Sequence, residues 1–242
     1  MNMIFARESR AIKTSILRLA GEVERRLAEV LTATERRDTD ALKSWMERDS
    51  EIDDWEVLIE EECLKILALH QPVARDLRFV VAVLKINNDL ERIGDIVVNI
   101  ADRGLRLAAF PVTPLQPRLT QMGGIVREML SSSLDALMEL DVARAKAVIV
   151  RDDEVDRLNA EVIEDVITRT TITNTGAVAE ALILAYGVAR DLERIGDHAT
   201  NIAEDVAYLV DGTIIRHQRR QWIAKDRGEK TALDQQQEDD DG

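Results

Sequence analysis

Seven residues, Asp89-Leu90-Glu91-Arg92-Ile93-Gly94-Asp95, return unchanged as Asp191-Leu192-Glu193-Arg194-Ile195-Gly196-Asp197, at an offset of 102 positions. The match runs on: Asn99-Ile100-Ala101 stands against Asn201-Ile202-Ala203, then Asp102 against Glu204. Upstream, Arg48-Asp49-Ser50-Glu51-Ile52-Asp53 aligns with Arg151-Asp152-Asp153-Glu154-Val155-Asp156 at an offset of 103. An internal repeat of this length means that one supersecondary unit is built twice, and both copies must bury equivalent faces.

The unit is helical. Aromatic residues are 3% of the chain and Gly and Pro are sparse, while Ala, Leu, Ile, Glu and Arg abound, a composition that favours helices over strands. A first helix is expected from about Glu8 to Arg37, its apolar stripe formed by Ile12, Ile16, Leu19, Val23, Leu27, Val30 and Leu31 at steps of three and four. Arg25, Arg26 and Glu29 lie off that stripe. Asp38-Thr39-Asp40 supplies capping residues for a second helix running from near Ala41 to about Leu69, with a bend near Asp49-Ser50. Its stripe is Ile52, Trp55, Ile59, Cys63 and Ile66.

A third helix is expected from Pro72, in the first turn, to Ala108. Its stripe is Phe79, Ala82, Ile86, Leu90, Ile93, Val97 and Ile100, and at ~1.5 Å per residue it exceeds about 50 Å. Gly94 sits in mid-helix, where glycine costs about 1 kcal/mol against alanine; both copies keep it, so a close neighbour or ligand is expected there. Three of the chain's four prolines then fall between Phe110 and Pro117, which no helix is expected to cross.

The second copy repeats the plan from Arg118, with Asp141 in the position of Asp38 and a last helix from about Ala177 to Val210, closed by Asp211-Gly212. The expected organisation is all-α, with two pseudo-symmetric three-helix bundles: 1–109, a linker at 110–117, 118–212, and a polar acidic tail at 213–242, partly disordered with some helix around Trp222.

The repeat also carries chemistry. Residues at i and i+4 share a helix face, so Asp49 with Asp53 and Glu91 with Asp95 form carboxylate pairs beside apolar stripes. Asp152 with Asp156 and Glu193 with Asp197 match them in the second copy. If the second and third helices of each half pack antiparallel, the pairs confront each other. Four facing carboxylates repel unless a cation enters or protons bind. Oxygen donors suit Mg²⁺, Mn²⁺, Ca²⁺ or iron better than a soft metal; the ion expected is divalent or trivalent, Mg, Mn, Fe or Zn. Asn99, Asp102, Asn201 and Glu204 extend the same flanks as supplementary ligands. In a chain with 32% charged residues any single acid pair is better read as a solvated face, with Arg92 or Arg194 as its partner. Matched pairs on two helices in both copies favour a metal.

Other functions are disfavoured. A net charge of −14 repels nucleic-acid phosphates, and the densest basic run is Arg216, Arg219 and Arg220. Cys63 is the one cysteine, so no intramolecular disulfide forms; its apolar surroundings make it a buried thiol. No leader-like segment opens the sequence, and no apolar run reaches the ~20 residues of a membrane span, so the expected location is cytoplasmic. None of His70, His198 and His217 completes the Glu-x-x-His of di-iron bundles. His198 stands where the first copy has Ile96, and reads as a structural residue beside Asp197. No nucleophile elbow, phosphate loop or zinc motif is present, so catalysis is not expected.

The segment Gln71-Pro72-Val73-Ala74-Arg75-Asp76-Leu77-Arg78 leading into Asn88-Asp89-Leu90-Glu91-Arg92-Ile93-Gly94-Asp95, with the second copy around Glu193 and Asp197, resembles the PhoU family over about Glu8 to Gly212. The resemblance implies two three-helix bundles and a negative regulator of the phosphate starvation response and of high-affinity phosphate uptake. It implies an adaptor between the ATPase subunit of a phosphate transporter and a sensor histidine kinase at the membrane's inner face. It implies metal held by Glu/Asp-x-x-x-Asp motifs, here Asp49 with Asp53, Glu91 with Asp95, Asp152 with Asp156, and Glu193 with Asp197, and a homodimer. The alternative expectations are a metal-dependent enzyme or metal-storage bundle, and a plain helical scaffold.

Overall fold

The structure, a computed structural model, describes residues 3–47, 50–111, 113, 115–172, 175–215 and 222. Seven helices and no strand occur among them. The first half contains α1 (Met3–Arg36), α2 (Thr39–Met46), α3 (Ser50–His70) and α4 (Ala74–Leu107). The second contains α5 (Gln116–Glu139), α6 (Val142–Ile172) and α7 (Gly176–Asp211).

The apolar stripes become the core. All of the first-helix positions but Leu31 are buried, as are Ile52, Ile59, Cys63 and Ile66 of α3; Trp55 and Phe79 are half-buried. The buried side chains of both halves form one continuous core. It joins through α4 and α7, which share the most extensive helix contact in the molecule. Ion pairs fix their direction: Lys85 of α4 meets Asp205 of α7, and Arg103 meets Asp191, so the two helices run antiparallel. The two halves thus meet back to back along their motif-bearing helices.

Helix ends follow the chemistry of their caps. Asp38 Oδ1 accepts from the Ala41 amide, and Asp141 Oδ1 accepts from the amides of Ala143 and Arg144. Arg37 and Leu140, one residue earlier in each half, both lie in the left-handed region, with φ of 58° and 55°. Gly212 closes α7 with φ 75°.

Four expectations change. The second helix of the first half is broken: α2 stops at Met46, and α3 opens with Glu51 and Asp53 in its first turn, where carboxylates meet the positive end of the helix. The matching stretch of α6 is unbroken. The third helix begins at Ala74, leaving Pro72 outside it. Pro117, expected in the linker, lies in the first turn of α5, because the amide it lacks has no partner at that position in any helix. Arg26, expected off the core stripe, is buried: it lies over Trp45, 5.6 Å from the ring centroid, and pairs with Glu22 and Glu51. The long apolar part of the side chain accounts for that burial.

The glycine of the repeated motif does different work in each half. A Cβ at Gly94 would stand 2.8 Å from Ile52 Cδ1, so this glycine lets α3 and α4 approach closely. A Cβ at Gly196 would meet Asp152 Oδ1 at 3.4 Å, an ordinary contact. Gly196→Ala is therefore expected to gain about 0.5–1 kcal/mol of helix propensity, while Gly94→Ala gains nothing or loses stability. Urea unfolding of both variants checks this, and equal effects at the two sites would refute it.

Candidate metal centre and the seam between the halves

Three of the eight expected ligands converge. Asp53 from α3 and Glu91 and Asp95 from α4 each offer a carboxylate oxygen, and these oxygens lie within 4.8 Å of one another. The close approach at Gly94 brings the two helices together there. Asp49 lies outside the described residues. Burial and the neighbouring Asp95 carboxylate push Glu91's proton affinity up; Arg92 opposes this, and Glu56 and Asp53 add to it. Arg92 lies 3.4 Å from Glu91 and 3.8 Å from Asp95, too long for tight pairing. It is half exposed, so it neutralises the cluster only weakly. An all-oxygen set of this spacing fits a hard cation bound between α3 and α4.

Glu56, absent from the expected set, belongs to the same neighbourhood. Burial, Glu60 and Asp53 all raise its proton affinity. It stands three residues after Asp53 and so shares that flank of α3. Its counterpart at the 103-residue offset is Asn159.

The second half is looser. Asp152 is buried, whereas Asp156 and Asp197 are exposed and Glu193 is half-buried. Burial, then Asp197 and Asp156, raise the proton affinity of Glu193, so these acids do face one another across α6 and α7. Among the described residues, however, they do not bring three carboxylate oxygens within 4.8 Å, as the first half does.

The first residue of each repeated motif, given no separate role in the sequence, joins the two halves. Asp89, 8% exposed at its side chain, accepts from Asn201 Nδ2 at 3.3 Å and lies 2.8 Å from His198 Nδ1. Asn201 and His198 thus belong to the contact with α4. Asp191, the symmetry mate of Asp89, accepts from Arg103 Nε at 2.7 Å. A Cβ at Gly187 would fall 2.4 Å from the Arg103 guanidinium, so glycine makes the space through which this arginine reaches Asp191. Lys85 of α4 holds Asp205, which stands in the second copy where Arg103 stands in the first, at 2.8 Å, so in both pairs the cation comes from α4 and the acid from α7. The signal for this seam was present: the motif opens with an acid outside the i, i+4 pair. What it touches depends on the other half of the chain.

Cys63 is fully buried, and burial pushes its thiol up to about 12, so it stays protonated.

The comparisons agree with this architecture. The chain matches the family model for the PhoU domain twice, over residues 16–104 and 119–206. It is similar to the phosphate-specific transport system accessory protein PhoU homolog of Deinococcus radiodurans, at 39% identity over 84% of this chain and 95% of that protein. The crystal structure of PhoU from Pseudomonas aeruginosa superposes with a TM-score of 0.82 at 34% identity, covering 86% of this chain and all of that one. The phosphate transport system regulatory protein PhoU from Streptococcus pneumoniae gives 0.78 at 26%, covering 87% and 98%. None of these relatives is named as an enzyme. With both halves matched at the positions that carry the repeated motif, the chain belongs to the PhoU family.

Proposed function

We propose that the protein is a cytoplasmic regulator that restrains high-affinity phosphate uptake and the phosphate regulon. It acts as an adaptor between the ATPase subunit of the phosphate transporter and a sensor histidine kinase. The observation that carries this reading is the family match across both halves, with relatives named accessory and regulatory proteins of phosphate transport. No helix among the described residues is long and apolar enough to cross a membrane, so the partners supply the membrane part of the pathway. The net charge of −14 argues against nucleic acid as a direct target.

Metal gives the adaptor a fixed shape. Asp53, Glu91 and Asp95 would hold a divalent or trivalent cation that ties α3 to α4, and Asp49, Asp152, Asp156, Glu193 and Asp197 complete the set proposed for the two halves. The bound ion supplies charge neutralisation; the chain supplies the two helix faces that it joins. A homodimer would double the adaptor's contacts.

The test is an Asp95→Asn, Asp197→Asn double variant, read by phosphate-responsive transcription and by co-purification of the ATPase subunit and kinase at high and low phosphate. Loss of repression together with loss of metal in elemental analysis of the same sample is expected. Normal repression by the metal-depleted variant would remove the metal from the mechanism, and failure of either partner to co-purify would remove the adaptor role.

A further inference from the structure

We propose that the end of the molecule where α1 and α4 begin and α7 stops docks directly on an anionic lipid surface. That end is assembled from separate elements. Phe5 of α1 packs edge-on against His70 of α3, with ring centroids 5.7 Å apart, and Arg78 of α4 lies against Gly212 at the end of α7. Around these contacts large apolar side chains point to solvent: Ile4 is 51% exposed, Leu69 65%, Val73 74% and Ile214 65%. They come from four different helix ends, so they make an apolar tip and not the single stripe that a partner helix would need.

Charge separates this end from the opposite one. Arg7, Arg10, Lys13 and Arg75 are exposed and make no ion pair among the described residues. Their acidic neighbours are Glu8, which is taken by His70 at 2.8 Å, Asp76, Glu62 beside Glu8, and Asp211 at the end of α7. The far end also exposes apolar residues, Ile167, Ile172 and Val178. There, however, most arginines have partners: Arg106 pairs with Glu180, Arg118 with Glu161 and Asp165, and Arg169 with Asp165, while Arg37 donates to the carbonyls of Leu107 and Ala108 and Arg36 makes no ion pair among the described residues. In a chain with a net charge of −14, four cations with no ion pair among the described residues, gathered at one apolar end, favour an anionic counterpart outside the chain.

A cavity of about 300 Å³ opens at the same end. Phe79, Val83 and Leu209 are among its walls, and Arg10, Lys13 and Arg75 stand among its lining residues. Apolar walls beside cations match an acyl chain beneath a phosphate headgroup. The acidic remainder does not forbid docking. Charges more than about 8 Å from the lipid are screened at physiological salt, so the facing end decides the sign of the interaction.

Co-sedimentation of the full-length protein with vesicles tests this. Vesicles mixing phosphatidylglycerol with phosphatidylcholine are expected to bind about tenfold or more tighter than phosphatidylcholine alone, and high salt should weaken the binding. Arg10→Glu with Arg75→Glu, and separately Val73→Asp with Leu69→Asp, should each reduce binding about tenfold. Ile172→Asp at the far end should leave it unchanged. All these side chains are exposed, and circular dichroism with thermal unfolding checks that each variant folds. Equal affinity for the two vesicle types, no binding to either, or equal loss in the Ile172 variant would overturn the proposal. So would variants that keep vesicle binding yet lose capture by the kinase or ATPase, since the end would then serve a protein partner.

Discussion

Asp191→Ala is expected to lower the unfolding free energy by about 3 kcal/mol, which for a chain of this size is roughly an 8 °C drop in melting temperature. The reason lies in what remains. Asp191 is nearly buried, and burial raises its proton affinity, an effect that Arg103 at 2.7 Å partly offsets. Truncation leaves the Arg103 guanidinium threaded past Gly187 with no carboxylate to receive it. Breaking a buried pair costs about 3–5 kcal/mol; Arg103 is 35% exposed and regains some hydration, which puts the expected value at the low end. Arg103→Met should cost less, because Asp191 can then take up a proton. The Arg103→Met, Asp191→Leu double variant should recover much of the loss, since both charged groups are gone. Asp89→Ala, which strands only a partly exposed histidine and an amide, should cost about 1–2 kcal/mol. Chemical denaturation of the four variants decides the matter. An Asp191→Ala change within 0.5 kcal/mol of zero, or a double variant no better than either single, would mean that the seam does not hold the halves together.

This seam was the least legible part of the sequence, for a physical reason. Periodicity reports which face of a helix is buried, and it found the core of α1, α3 and α4 almost residue by residue. It does not report which helix covers that face. Asp89 and Asp191 read as members of an acidic motif, and only the antiparallel contact of α4 with α7 shows that they face the other half. Lys85 and Arg103 carried no signal at all, because their partners lie 120 and 88 residues away in the chain. The acid cluster was more legible. An i, i+4 spacing puts Glu91 and Asp95 on one face of α4 by helix geometry alone, and the helical hairpin formed with α3 then presents Asp53. The interruption after Met46 was legible only as a bend, because the second half runs through the equivalent stretch unbroken.

The second large effect concerns the cation. Glu91 and Glu193 hold their protons more tightly folded than unfolded, chiefly through burial and then through neighbouring acids. Without metal, the stability that they contribute is therefore complete below the ordinary glutamate value, near 4.5, and is lost as the pH rises through the raised folded value. A bound cation reverses that sign by favouring the ionised carboxylates. Saturating Mn²⁺ should thus raise the melting temperature by about 5–10 °C at neutral pH, as expected from ligand at about 100 times its dissociation constant, and by clearly less at pH ~5. The variant Asp53→Asn, Glu91→Gln, Asp95→Asn should be at least as stable as the wild type without metal, because the repulsion is gone. Its response to Mn²⁺ should fall by half or more, the remainder coming from the acids of α6 and α7. A full response in this variant would place the cation elsewhere. A metal-free variant less stable than the wild type would mean that the three carboxylates serve their own hydrogen bonds and not an ion. Of the two halves, the first should load at lower metal concentration, since only there does Glu56, replaced by Asn159 in the second, add its charge to a set of oxygens already within reach of one ion.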